Sequence, residues 1–285
     1  VEQIVKRNSN PAGFNLVLSA DIPVGAGLSS SAAIECAAGY ALDQLFNLGL
    51  SRFDIARYGQ LAEHFAGLQC GIMDEFASVF GKKDHALKLD CRSLEFEEVP
   101  LELAGYKILL LNTNVKHSLA SSAYNTRRDE CIAGVTTVKT HHPEVNSLRD
   151  VTIEMLDRYV KDPVVYKRCR FVIEENERVH KAVDHMKRGD IAGLGEQMLL
   201  SHAGLSSDYE VSCPELDWLV DAVKDNDAVA GARMMGGGFG GCTINIVKEN
   251  AIQKLVDGIM TGYEKKFDKS LSVYEANTSE GTTLF

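Results

Sequence analysis

The chain has no excess of basic residues: 40 Asp and Glu outweigh 30 Lys and Arg, for a formal net charge of -10. Nucleic-acid binding needs clustered cations facing phosphates, so a nucleic-acid partner is not expected and any phosphate must be held locally. No stretch approaches the roughly 18 consecutive apolar residues of a spanning helix, so no membrane partner is expected either. The seven cysteines, Cys36, Cys70, Cys91, Cys131, Cys169, Cys213 and Cys242, are odd in number and form no C-x-x-C pair. That speaks against a disulfide framework and a zinc site, and fits a reducing, cytoplasmic setting. Internal repeats and low-complexity tracts are also lacking. The chain opens on Val1-Glu2-Gln3-Ile4, without an initiator Met or a leader pattern, and reads as a protein entered partway through.

What is there is an ordinary globular composition, with 45% hydrophobic and 25% charged residues over 285 positions, enough for two fused domains. Phe14 to Ala20 alternates as a strand and ends at Pro23. A glycine turn then leads into a helix over Ala32 to Phe46 started by a serine cap. Further helices are predicted over Ser51 to Phe65 and Ile72 to Phe80, the latter ended by Gly81. Strands follow at Ala86 to Leu89, Leu94 to Val99 and Lys107 to Asn112. From Ser118 to Arg188 the pattern is helical, with charges interleaved at three- and four-residue spacing. Strands at Ala232 to Met235, Thr243 to Val247 and Ser272 to Glu275 flank a helix over Ala251 to Lys266. The order lacks a regular βαβ rhythm, so the fold class is α+β with two domains, over residues 1–104 and 105–285.

Four segments carry the chemistry. In Pro23-Val24-Gly25-Ala26-Gly27-Leu28-Ser29-Ser30-Ser31-Ala32-Ala33 the glycines let backbone approach a ligand, and the helix start behind them offers N–H groups to phosphate oxygens. The serine hydroxyls add donors and a possible Mg²⁺ ligand. A short Gly-x-Gly is by itself also an ordinary turn; the eleven-residue string is more specific. It is not a Walker A loop, because no Lys follows the last glycine. As a dinucleotide fingerprint it would need an acid about 20 residues on at a strand end, and Asp43 falls within helical pattern instead.

Glu63 reads either as a helix-surface acid or as a cation ligand. Asp74 is either a first-turn carboxylate of a helix or an acid facing a site. The segment from Asn112 through Tyr124 to Arg127-Arg128 reads as a connector with a solvated Arg pair, or as a ligand-facing helix start. Five glycines around Phe239, within Gly231 to Thr243, form neither helix nor strand, so that loop exists for backbone shape or close approach.

Together these segments resemble the GHMP kinases, through the Pro23 to Ala33 phosphate loop and the glycine run of Gly231 to Thr243. Cys70-Gly71-Ile72-Met73-Asp74 and Ser118 to Tyr124 with Arg127-Arg128 narrow the resemblance to the galactokinase branch of that family. The resemblance implies an N-terminal lobe like the second domain of ribosomal protein S5, a ferredoxin-like C-terminal lobe, and a site between them. It implies ATP-dependent phosphorylation of the anomeric hydroxyl of galactose, with Gly25, Ala26, Gly27, Leu28, Ser29, Ser30 and Ser31 at the ATP phosphates. Ser31 and Glu63 would be Mg²⁺ ligands, Asp74 the catalytic base, and Gly71 and Tyr124 would help seat the sugar. A monomer is expected.

The pattern departs from the family in three ways. The early sugar-gripping motif, with an Arg beside the catalytic Asp, has no counterpart in Val1 to Phe14. About a quarter of the enzyme is therefore expected to be absent, leaving the chain alone inactive. One residue fewer than usual separates Glu63 from Asp74, which would rotate Glu63 by about 100° if the helix absorbs the change. Glu75 stands where a Gln is usual, and is set aside because adjacent helical positions face apart. Two other classes stay open: a galactose and ATP sensor without turnover, and a kinase for N-acetylgalactosamine or arabinose. Intact Ser29 to Ala33 and Asp74 favour an enzyme.

Overall fold

The computed structural model describes residues 2–6, 13–23, 26–67, 70–115 and 120–284, with side chains 120–122 outside the description. It divides into two compact units, Val1–Glu102 with Asn277–Phe285, and Leu103–Ala276. Among the described residues no helix is long and apolar enough to cross a membrane.

The first unit runs α1 (Glu2–Lys6), α2 (Ser30–Phe46), α3 (Arg52–Phe65), α4 (Met73–Phe80), β1 (His85–Leu89) and β2 (Phe96–Pro100). Helix α3 starts where Ser51 and Asp54 cap each other reciprocally, Asp54 N donating to Ser51 Oγ at 3.1 Å and Ser51 N to Asp54 Oδ2 at 2.9 Å. The core between α2, α3 and α4 is Cys36, Ile55, Ala56, Ile72 and Val79. Beside it Phe53, Phe76, Phe80 and Phe96 cluster, Phe76 and Phe80 stacked with centroids 4.3 Å apart and Phe96 edge-on to Phe76. Strands β1 and β2 form an antiparallel pair.

Two expectations are corrected here. Residues 13–21 form no strand and lie exposed, with Phe14 edge-on against Phe46. Alternation marks the two faces of a strand, but a strand exists only when its backbone groups are paired, and no described strand pairs with this one. Residues 277–285, assigned by sequence to the second domain, cluster with the first unit. Gly281 N donates to Gly81 O at 2.7 Å and Thr282 N to Ser78 O at 2.8 Å, so this segment is tied to the end of α4.

The second unit runs β3 (Tyr106–Asn112), α5 (Ala120–Lys139), α6 (Ile153–Tyr159), α7 (Pro163–Lys187), α8 (Ile191–Ser207), α9 (Pro214–Asp221), β4 (Val229–Met234), β5 (Cys242–Lys248), α10 (Ile252–Phe267) and β6 (Ser272–Ala276). The sheet is antiparallel in the order β4-β5-β3-β6. Counted within the unit that is second, third, first, fourth, the ferredoxin-like arrangement with α5 to α9 inserted after its first strand. Leu109 and Leu111, two apart on β3, share one face and pack with Leu219 and Val220 of α9 and Leu255, Ile259 and Tyr263 of α10. A separate core built on Val138, Leu156 and Cys169 joins α5, α6 and α7.

Helices α8 and α9 were not foreseen. Helix α8 carries Gly193, Gly195 and Gly204, which weaken a helix reading by propensity. Packing explains all three: a Cβ on Gly193 would stand 2.1 Å from the His185 ring, one on Gly195 1.7 Å from Ala230 O, and one on Gly204 2.6 Å from the Phe171 ring.

Candidate active site

Each unit supplies its own half of the candidate residues. In the first unit, Gly27 has φ 70° and Ser29 φ 51°, so two left-handed residues deliver the chain to α2. Ser29 is the N-cap residue, but its side chain accepts no cap hydrogen bond, which corrects the expected serine cap. The left-handed backbone at Ser29 replaces the extended conformation of a capping residue, and the first N–H to turn back is Ala33, to Ser29 O at 3.1 Å. The amides of Ser30, Ser31 and Ala32 therefore have no intrahelical acceptor and sit at the positive end of a 17-residue helix. Ala26 is buried, Leu28, Ser29 and Ser30 are half-buried and Ser31 is exposed. Gly25 lies outside the described residues.

Asp43, the one acid at dinucleotide spacing, is a helix-end residue. It is buried in α2 and its Oδ1 accepts from Leu50 N at 2.7 Å.

Asp74 is half-buried in the first turn of α4, and Gly71, exposed, stands just before that helix. Among the described residues Asp74 forms no ion pair. Its neighbour Glu75 faces the other way, as adjacent helical positions must, yet it is no bystander. Glu75 is 1% exposed and meets Glu35 of α2 and Glu63 of α3, with carboxylate oxygens of all three within 4.8 Å of one another.

Gly59 makes room for this cluster: a Cβ there would stand 3.0 Å from Glu75 Cγ. Burial pushes the Glu35 carboxyl up to about 7, helped by the charges of Glu63 and Glu75. Burial likewise raises Glu75 to about 6, with the charges of Asp74 and Glu63 adding to it. Oε2 of Glu35 and of Glu75 is buried without a hydrogen-bond partner. An all-oxygen donor set of this kind fits a hard divalent cation.

Sequence reasoning named Glu63, set Glu75 aside and missed Glu35. The available signal was Glu35 at four residues past Ser31, on the same face of α2. His64 and Gln60 of α3 both reach Cys70 O, at 3.0 and 3.4 Å, fixing the approach to α4.

In the second unit the glycine run is pinned to its own protein. Gly236, Gly238, Phe239, Gly240 and Gly241 all have positive φ. A Cβ on Gly238 would come 2.0 Å from Val211 O, and one on Gly240 2.6 Å from Val115 O. Phe239 N donates to Val211 O at 2.7 Å and Thr113 N to Gly241 O at 2.9 Å. Tyr124, half-buried on α5, lies beside this loop, its ring 3.6 Å from where a Gly237 Cβ would be. Arg127 is structural: its Nε donates to Tyr209 O at 2.7 Å and it pairs with Glu130. Residues 116–119 of the same motif lie outside the described residues.

The sequence profile "GHMP kinases N terminal domain" matches residues 1–82, and "GHMP kinases C terminal" matches residues 181–263. Galactokinase of Thermotoga maritima is 43% identical over 277 residues, covering 97% of this chain and 77% of its own length. That of Limosilactobacillus fermentum is 42% identical, over 94% of this chain and 70% of its own. Among solved structures, Lactococcus lactis galactokinase complexed with galactose superposes with a TM-score of 0.87 at 35% identity, covering 92% of this chain and 69% of that one. L. major mevalonate kinase, at 19% identity and a TM-score of 0.56, shares the fold. Sequence, fold and the two glycine-rich segments agree: the chain belongs to the galactokinase family of GHMP kinases.

Proposed function

We propose that this sugar kinase transfers the γ-phosphoryl group of ATP to the anomeric hydroxyl of galactose, giving galactose 1-phosphate and ADP, with Asp74 as base. The observation that carries the reading is the N-terminus of α2, whose amides at Ser30, Ser31 and Ala32 have no intrahelical acceptor and follow two left-handed residues. Phosphoryl transfer needs positioning and charge stabilisation more than covalent chemistry, and such an amide array supplies both to a phosphate chain. Ser31 and Glu63 are the ligands proposed for Mg²⁺, which when bound neutralises charge on the phosphates.

Asp74 accepts the proton of the attacking hydroxyl as the new P–O bond forms and the bond to the ADP oxygen breaks. Its place in the first turn of α4, half-buried, leaves the carboxylate open to an incoming hydroxyl. Gly71 and Tyr124 help seat the sugar, the bare backbone of Gly71 allowing close approach. A cytoplasmic, monomeric protein is the setting proposed.

Calorimetry with Mg²⁺ and a non-hydrolysable ATP analogue tests the phosphate half: Ser31→Ala is expected to weaken binding and Asp74→Asn to leave it unchanged. The chemical half is tested by galactose-dependent ADP release by the full-length protein. Asp74→Asn is expected to lower turnover by about 10²–10⁴-fold. Unchanged turnover would remove Asp74 from the role.

A further inference from the structure

Beside the three-carboxylate cluster stands a thiol, Cys70 Sγ at 4.0 Å from Glu75 Oε1, and two of the cluster's oxygens have no partner among the described residues. Glu35, Glu63 and Glu75 come from three different helices, and their oxygens lie within 4.8 Å of one another. Glu75 is 1% exposed, and its Oε2, like that of Glu35, is buried without a hydrogen-bond partner. Among the described residues none of the three is ion-paired to a Lys, Arg or His. Three carboxylates so placed repel one another, and the buried one, Glu75, has lost its water, a state relieved by protons or by a cation.

The spacing suits a cation. Three carboxylate oxygens grouped within 4.8 Å of one another can face a common divalent ion, whose oxygen ligands stand about 2.0–2.6 Å from the metal. Room is kept open by Gly59, where a Cβ would stand 3.0 Å from Glu75 Cγ.

We propose that Glu35, Glu63 and Glu75 hold a resident divalent cation of the Mg²⁺, Mn²⁺ or Ca²⁺ class, bound without nucleotide. This extends the reading of Glu63 as a cation ligand and rests on it for that residue only. The added claim is that Glu35 and Glu75 complete the site, and that the ion ties α2, α3 and α4 together behind the phosphate loop.

The test uses Mn²⁺ alone, titrated into chelator-treated protein and followed by electron paramagnetic resonance, with thermal melting in parallel. One Mn²⁺ per chain is expected, competed by Mg²⁺, with a rise in melting temperature. Glu35→Gln and Glu75→Gln, each near-isosteric, should raise the Mn²⁺ Kd at least tenfold and abolish the melting shift. Absence of bound Mn²⁺ without nucleotide, or binding untouched by both substitutions, overturns the proposal. So does a Glu75→Gln variant that melts higher while the unmodified chain binds no Mn²⁺, since protons would then fill the cluster.

MgATP affinity separates this proposal from the reading beneath it. If Glu63→Gln weakens MgATP binding while Mn²⁺ alone never binds, the resident ion is refuted and Glu63 keeps its nucleotide role. If Mn²⁺ binds through Glu35 and Glu75 while Glu63→Gln leaves MgATP affinity intact, the resident site stands and the nucleotide role of Glu63 falls.

Discussion

Glu75 shows how much one residue's direction matters. Asp74 and Glu75 are neighbours in the chain, about 100° apart around α4, and that angle sends one carboxylate to a half-exposed position and the other into the core. The inward carboxyl carries a stability signature. Glu35 and Glu75 have folded values raised to about 7 and about 6 from an unfolded 4.5, so the folded state holds protons that the unfolded chain has released. Their cost is absent below about 4.5 and grows as pH rises through about 6 to 7, so without metal the chain loses stability across that window. Melting temperatures in chelator-containing buffers should fall over this range, and Glu75→Gln should flatten the fall. An unaltered slope in the variant would show that the burden lies elsewhere.

At the scale of elements, glycine spacing decides where helices rest. Helix α8 lies against β4 so closely that Gly195 and Gly231 almost touch, a Gly231 Cβ standing 2.3 Å from Gly195 Cα. Gly195→Ala must therefore push α8 off the sheet, at a cost of about 1–3 kcal/mol or more in urea unfolding. Gly258, exposed on α10 with nothing within 4 Å of its Cβ position, is the matched control. Gly258→Ala is expected to stabilise by up to about 1 kcal/mol. Equal effects at the two sites would mean that propensity, not contact, governs both.

A charge network around one buried arginine organises the helical insert in the same way. Arg168, whose side chain is 4% exposed, bonds Glu130 at 3.1 Å and Glu210 at 2.7 Å, linking α5, α7 and the loop after α8. The Arg168 hydrogen bond comes first in holding Glu210 down to about 2. This contribution is present above about 4.5 and fades as pH falls toward 2, so Glu210→Gln should matter near neutrality and converge with the unmodified chain in acid. A gap in melting temperature that persists undiminished in acid would show that Glu210 acts by packing alone.

At the scale of the molecule, the chain crosses from the first unit to the second and returns. Residues 277–285 bond back to Ser78 and Gly81, and a Cβ on Gly281 would stand 2.3 Å from Val79 O. Ending the chain after Ala276 should raise hydrogen exchange in α4, which carries Asp74, while amides of β3 and β5 keep their protection. Equal loosening of both units would contradict the assignment of this segment to the first.

The sequence by itself determined the α+β class, the four-stranded second unit, the glycine turn before α2 and the helix stops at Phe46 and Gly81. These follow from local periodicity and from glycine, serine and proline acting within a few residues. Tertiary structure alone decided which elements meet. Residues 14–20 alternate like a strand yet lack a described partner, glycine-rich α8 is a helix because sheet and ring fill the space its side chains leave, and Ser29 starts a helix without capping it. Glu35, Glu63 and Glu75 lie 28 and 12 residues apart along the chain. No local pattern joins them; three helices packed around Gly59 do, and the field between their carboxylates exists only once that packing is made.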